Sequence, residues 1–215
     1  MKIAIDLNGV VRDILSKTEQ IYTKFFLDDI EESETSEFNE ETEEWESISE
    51  SSNFKYGLNL PVTSLNLIDH FKFETSEDLY NFLYVDFPMQ IFGHSPSVDV
   101  NTFNILNDLY IDLRDDNEMT VISDEIGKSK PATLFFLSKY GCLIENIKFY
   151  SKVTIDDTFN EFDVIVTSNP DLMSIDNDNK IIIKVKTSYN EKSNCNYTIN
   201  DISELRDVFK KINLL

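Results

Sequence analysis

A short apolar run that ends in a carboxylate, Ile3-Ala-Ile5-Asp6, constrains this chain more than any other feature, because an Asn8-Gly9 turn and a helical pattern from Val11 follow at once. An unbroken apolar run of this kind reads as a strand buried on both faces, the habit of parallel sheets covered by helices. In such sheets ligands collect beyond the carboxyl ends of the strands, and an aspartate held there is suited to act as nucleophile or metal ligand. The rest of the chain alternates in the same sense. Strands are predicted at 118–123, 147–151, 163–167 and 181–186, and helices at 101–114 and 131–140. Asp201 caps a closing helix that turns Ile202, Leu205, Val208 and Phe209 inward. Earlier, a helix over 11–27 carries Ile14, Ile21, Phe25 and Phe26 on one stripe. Two more helices are expected at 63–71 and 76–84, the second opening at Ser76 with Asp78 and burying Leu79, Phe82 and Leu83.

The expected class is therefore α/β, a Rossmann-like parallel sheet with helices on both faces and a mainly helical cap inserted between the first two core strands. Residues 1–27 and 98–215 form the core in this reading, and 28–97 the cap. Phe71, Phe73, Tyr80, Phe82 and Tyr84 are dense enough to build that cap's interior rather than a base-stacking platform.

Charge narrows the partners. The 215 residues carry 40 Asp and Glu against 19 Lys and Arg, a net charge of −21, which opposes nucleic acid binding because phosphate backbones require clustered cations. Twelve of the acids fall between Asp28 and Glu50, where there is no Lys or Arg. Such a block reads either as a solvated insertion or as a docking strip for a basic protein partner, with Phe38, Trp45 and Ile48 as its anchors. Two cysteines, Cys142 and Cys195, give no disulfide framework and point to a reducing compartment. The N-terminus lacks a basic-then-apolar leader, and no apolar run approaches the ~20 residues of a membrane span. The expected location is the cytoplasm, or a virus particle assembled there. Alanine occurs only at Ala4 and Ala132 while Asn and Ile abound, the composition of an AT-rich genome of the kind that some bacteria and many of their phages carry.

The motifs resemble those of the haloacid dehalogenase (HAD) superfamily, and most specifically its 5′(3′)-deoxyribonucleotidase-like branch. That branch opens Asp-x-Asp-Gly-Val-x-x-Asp, and this chain reads Asp6-Leu-Asn8-Gly9-Val10-Val-Arg-Asp13. The second motif, a strand ending in Ser or Thr before a helix of the type Ala-Thr-x-x-x-Leu-x-x-x-Gly, is matched by Ser123 and by Ala132-Thr133 through Leu137 to Gly141. Lys152 matches the lysine after the next strand, and Tyr189-Asn190 a late Tyr-Asn pair. Where the fourth motif reads Asp-Val-x-Ile-Asp-Asp-Asn-Pro, this chain has Asp163-Val-Ile-Val-Thr167-Ser168-Asn169-Pro170.

The resemblance implies Asp6 as nucleophile, Ser123, Lys130 and Lys152 as phosphate contacts, and magnesium as cofactor. It equally exposes what is missing. Asn8 replaces the general acid, whose loss typically costs ~10²–10⁴ in rate, and Thr167 and Ser168 replace the acidic metal ligands. Two alternatives keep the metal: Asp171, one helical turn beyond Thr167, joins Asp6 as a ligand, or Asp156-Asp157 is the true acidic pair. The leading expectation is a catalytically degenerate member, with Asp6, Asn8, Ser123 and Lys152 as vestigial positions, serving as a structural or interaction subunit of a larger assembly. A phage virion is one such assembly, and no cofactor is expected. The alternatives are a magnesium-dependent phosphatase acting through Asp6, or a binder of phosphate or nucleotide that does not hydrolyse it. Of the remaining candidates, His94 reads as a loop hydrogen-bonder and His70 as a helix C-terminal cation. Cys142 reads as an apolar filler and Lys128 as a solvated helix-start lysine.

Overall fold

The computed structural model describes residues 1–27, 57–175 and 179–215, together with the backbone of two short antiparallel strands, β2 (Ser36–Asn39) and β3 (Glu44–Ser47). At its centre is β1 (Lys2–Asp6). The other core strands are β4 (Glu118–Asp124), β5 (Asn146–Tyr150), β6 (Val164–Thr167), β7 (Ile181–Val185) and β8 (Tyr197–Ile199). Every pairing among these six is parallel, and their spatial order is β5-β4-β1-β6-β7-β8. The chain thus winds outward from β1 through β4 to β5, then returns to the opposite side of β1 with β6. A doubly wound sheet opens its crevice at that reversal, beyond the carboxyl ends of the strands.

Alternation along the strands divides the interior into two layers. Ile3, Ile5, Val121, Val164, Val166 and Ile183 face one side. There they meet α3 (Thr102–Leu113), α4 (Ser129–Lys139) and α7 (Leu205–Lys211) through Phe103, Leu106, Leu109, Phe136, Leu205 and Phe209. Ala4, Ile122, Ile165 and Ile182 face the other, against Phe159 of α5 (Ile155–Asn160) and Leu172 of α6 (Pro170–Met173). The expected Rossmann-like sheet covered on both faces is present. Each fully buried Phe, Leu or Ile in it contributes about 1.5–3 kcal/mol.

A third cluster forms in the chain between β1 and β4. Tyr22 of α1 (Ile14–Tyr22) lies at its centre, edge-on to Phe71, Phe73 and Phe82 with ring centroids 5.2 to 6.0 Å apart. Tyr84 packs against it, stacked on Phe92 at 5.5 Å, whereas Tyr80 is exposed.

Local departures from the sequence reading have local causes. Helix α1 starts at Ile14, not Val11, because Leu7–Asp13 folds into a tight loop. Val11 and Arg12 both donate their N–H to Leu7 O, and Gly9 donates to Arg12 O. Asp13 then caps the helix through Ser16 N. Past Tyr22 the helix continues as a π-turn over Thr23–Leu27, which leaves Phe25 42% exposed while Phe26 joins the third cluster. In place of a helix over 63–71 there is one 3₁₀ turn, Leu67–Asp69. Helix α2 (Ser76–Asn81) is capped by Thr75 rather than Ser76, in a reciprocal capping box with Asp78, and runs on as a π-turn over Phe82–Asp86. A further π-turn at Met89–Gly93, helix α5 and strand β8 went unread. Helix α5 decides one alternative: Asp156 and Asp157 are exposed in its first turn, and the strand tip beside β1 belongs to Thr167. Among the described residues no helix is long and apolar enough to cross a membrane.

Candidate functional site

Register delivers the site. Asp6 pairs with Ile122 on β4 and, on its other side, comes one position beyond the Ile5–Val166 pair, beside Thr167. The Thr167 hydroxyl donates to Asp6 Oδ2 at 2.6 Å. Asp6 Oδ1 is buried without a partner among the described residues. Strand β4 outruns β1 by two residues, so alternation returns Asp124 to the face of Asp6, and Tyr150 stands opposite Asp124 on β5. Burial, with the nearby negative charge of Asp124, raises the Asp6 pKa to about 7 against the opposing Thr167 hydrogen bond. Burial also raises Asp124, partly offset by Lys152.

These groups border a cavity of about 150 Å³ at the reversal between β1 and β6. Asp6, Asn8, Asp124, Tyr150, Ser168 and Tyr189 form its polar side. Ile14, Leu15, Leu65, Leu67, Leu83 and Phe92 form an apolar wall. Among the described residues none of the side chains lining it is a lysine, arginine or histidine.

Behind the cavity lies Arg12, completely buried, with its guanidinium fully engaged. Its Nε and Nη2 both donate to Asn8 Oδ1, at 3.0 and 2.6 Å, and Nη1 donates to Phe92 O and Thr133 Oγ1. Its charge is met by Glu125, itself buried, through a short Nη2–Oε1 contact. Burial lowers the Arg12 pKa and Glu125 holds it up. Ser123 donates to Glu125 Oε1 at 2.8 Å, and Thr133 lies 2.6 Å from both Glu125 oxygens. The motif positions Asn8, Ser123 and Thr133 are thus spent on one internal ion pair.

The rim is set by Gly9. Its φ is +75°, and a Cβ there would come within 2.3 Å of both Ser168 Oγ and Tyr189 Oη, so only glycine lets the loop close over them. Ser168 donates to Asn8 O and lies 2.9 Å from the Tyr189 hydroxyl. Buried Asn190 holds the Tyr189 loop in place, donating to Ser168 O and Val185 O.

Of the residues singled out in the sequence, the fold brings together Asp6, Asn8, Ser168, Asn169 and Tyr189 at the cavity, with Ser123 behind it. Lys130 and Lys152 are exposed and do not line it; Lys130 Nζ lies over Phe149. Asp171 is exposed in the first turn of α6 and also stands outside. Phe38 and Trp45 are register partners on β2 and β3, while Ile48 lies outside the described residues. His70 is buried rather than dipole-facing, with Nδ1 on Asn59 O and Nε2 accepting from Ser64 N. His94 is exposed and its ring lies against Phe135. Cys142 is half-buried against the core, and Lys128 reaches Val85 O. Asp124, Arg12, Glu125 and Tyr150 were not anticipated. A signal existed for Asp124: it follows Ile122 at the strand's period of two.

No protein-family model and no curated protein sequence matches this chain. Among solved structures it is similar to one from Burkholderia xenovorans described as a haloacid dehalogenase-like hydrolase. The likeness covers 100% of this chain and 98% of that one, with a TM-score of 0.53 at 10% identity. The fold is accordingly HAD-like.

Proposed function

We propose that this chain is a catalytically silent HAD-like protein that works by binding rather than by phosphoryl transfer. One observation carries the reading: the motif residues Asn8 and Ser123 are turned into the Arg12–Glu125 pair, and among the described residues the cavity beside Asp6 is bordered by carboxylates and by no basic side chain. A phosphate dianion beside ionised Asp6 would meet repulsion of about 4 kcal/mol for each pair of unit charges 4 Å apart at an effective dielectric near 20. Asn8 holds no proton to give a leaving group, and its amide oxygen is occupied by Arg12.

Magnesium, which a HAD-like fold implies, finds only Asp6 and Asp124 as carboxylates among the described residues at the cavity, because Thr167 and Ser168 stand where the fourth motif carries its acids. The ion is commonly held by one or two carboxylates and completed by substrate phosphate. Here Thr167 spends its hydroxyl on Asp6 and Ser168 on Asn8 O. Among the described residues no three His, Cys, Asp or Glu side chains converge as a metal site, and the cavity supplies nothing to retain the phosphate. The same reading gives the acidic segment 28–50 the contact with a basic protein within a larger assembly, such as a phage particle, on the strength of its uniform charge.

The test is turnover of p-nitrophenyl phosphate and deoxynucleoside monophosphates with magnesium, comparing the native protein with Asp6→Asn. Both should be equally inactive. Hydrolysis by the native protein that Asp6→Asn abolishes would overturn the reading.

A further inference from the structure

We infer that the cavity at the sheet reversal binds a small organic cation, a protonated primary amine carried on a compact apolar body. The inference rests on the silent-site reading above and names that site's ligand.

A missing donor is the first observation. Buried polar atoms are paired in more than nine cases of ten, yet Asp6, which lines the cavity and is only 1% exposed, has no partner at Oδ1 among the described residues. The second is net charge. Asp6 and Asp124 both border the space, and among the described residues no basic side chain does. Arg12 behind it is neutralised by Glu125, and exposed Lys152 offsets only part of the upward shift of Asp124. An ammonium brings the donors and the positive charge that Asp6 lacks. Shape is the third. The cavity is also lined by Ile14, Leu15, Leu65, Leu83 and Phe92, a surface that a hydrated metal ion or a phosphate would leave unused but that a hydrocarbon body covers. At about 150 Å³ the space matches cavities that accept a benzene-sized molecule, on the order of six or seven heavy atoms.

The experiment titrates the full-length protein by calorimetry and thermal shift with three probes: cyclohexylamine, cyclohexanol, and inorganic phosphate with magnesium. Cyclohexylamine should bind saturably and raise the melting temperature. Cyclohexanol, of the same shape without the charge, should bind at least about tenfold more weakly, as expected for losing a charge-assisted hydrogen bond. Asp124→Asn, whose side chain is only part-buried, should weaken the amine by a similar factor with an unchanged circular dichroism spectrum. Absence of amine binding, or equal binding of amine and alcohol, overturns this inference and leaves the silent-site reading standing. Saturable binding of magnesium and phosphate at the cavity overturns the silent-site reading itself. Because the comparison of probes is made on the native protein, it decides the matter even if the variant fails to fold.

Discussion

Glu125→Gln is expected to destabilise the protein by about 3–5 kcal/mol, read as a large fall in the urea unfolding midpoint with an unchanged slope. Arg12 and Glu125 are both fully buried, and the guanidinium cannot shed its proton to escape. Removing the carboxylate paired with it leaves a poorly compensated charge in the interior, and the amide that takes its place offers Ser123 and Thr133 one oxygen in place of two. Exposed pairs behave otherwise: Lys2 and Glu118, 4.0 Å apart at the surface, are worth about 0–1 kcal/mol. The double variant Arg12→Met with Glu125→Met should recover most of the loss, since a well-packed apolar replacement of a buried pair is often neutral. A Glu125→Gln midpoint within the range of a surface pair would show that this network does not organise the site.

Asp6→Asn should make the protein more stable above neutrality. The Asp6 carboxyl ionises near pH 7 in the folded protein and near 3.9 when unfolded. A folded pKa raised in this way means that the unfolded state releases its proton first. Stability therefore declines as pH rises from about 4 to about 7 and is level above that. At about 1.36 kcal/mol per pKa unit the full effect is on the order of 4 kcal/mol. Asparagine is neutral throughout and can accept the Thr167 hydroxyl where Oδ2 does. The two proteins should unfold at similar denaturant concentrations at pH 4 and diverge until, at pH 8, the variant leads by about 2–4 kcal/mol. Titrations shared by both proteins cancel in that difference. A variant less stable than the native protein at pH 8 would mean that ionised Asp6 has a cationic partner in the native protein, and the electrostatic account of the cavity would fail.

How much of this was legible depended on whether a feature was local. The Ile3–Asp6 strand, the Asn8-Gly9 turn and the α/β alternation rest on short patterns, and these placed Asp6 at the tip of a central strand. The order of the strands in the sheet was not read, because it depends on pairings between segments far apart in the chain. The neighbours of Thr167 and Asp6 were set by register once β6 was located. What escaped depends on contacts far apart in sequence. Arg12 and Glu125 are 113 residues apart, and nothing in either segment marks them as buried, since Arg and Glu are almost always exposed. Lys152 and Lys130 lie at the strand and helix ends where motif position set them, exposed and outside the cavity lining, since a side chain near a strand tip enters a cavity only if its backbone aims it there. The π-turns after Tyr22 and Asn81 left no mark in the periodicity, because each adds only part of a residue to an otherwise helical turn.

Asp6 should be unable to accept a phosphoryl group. Beryllofluoride, supplied with magnesium, binds aspartates that act as phosphoryl acceptors by mimicking the acyl phosphate, and ¹⁹F NMR distinguishes bound from free fluoride species. With the native protein no bound resonance should appear. A protein-bound signal that requires magnesium and vanishes in Asp6→Asn would show a working acceptor site, contrary to everything inferred from the buried pair and the cation-free cavity.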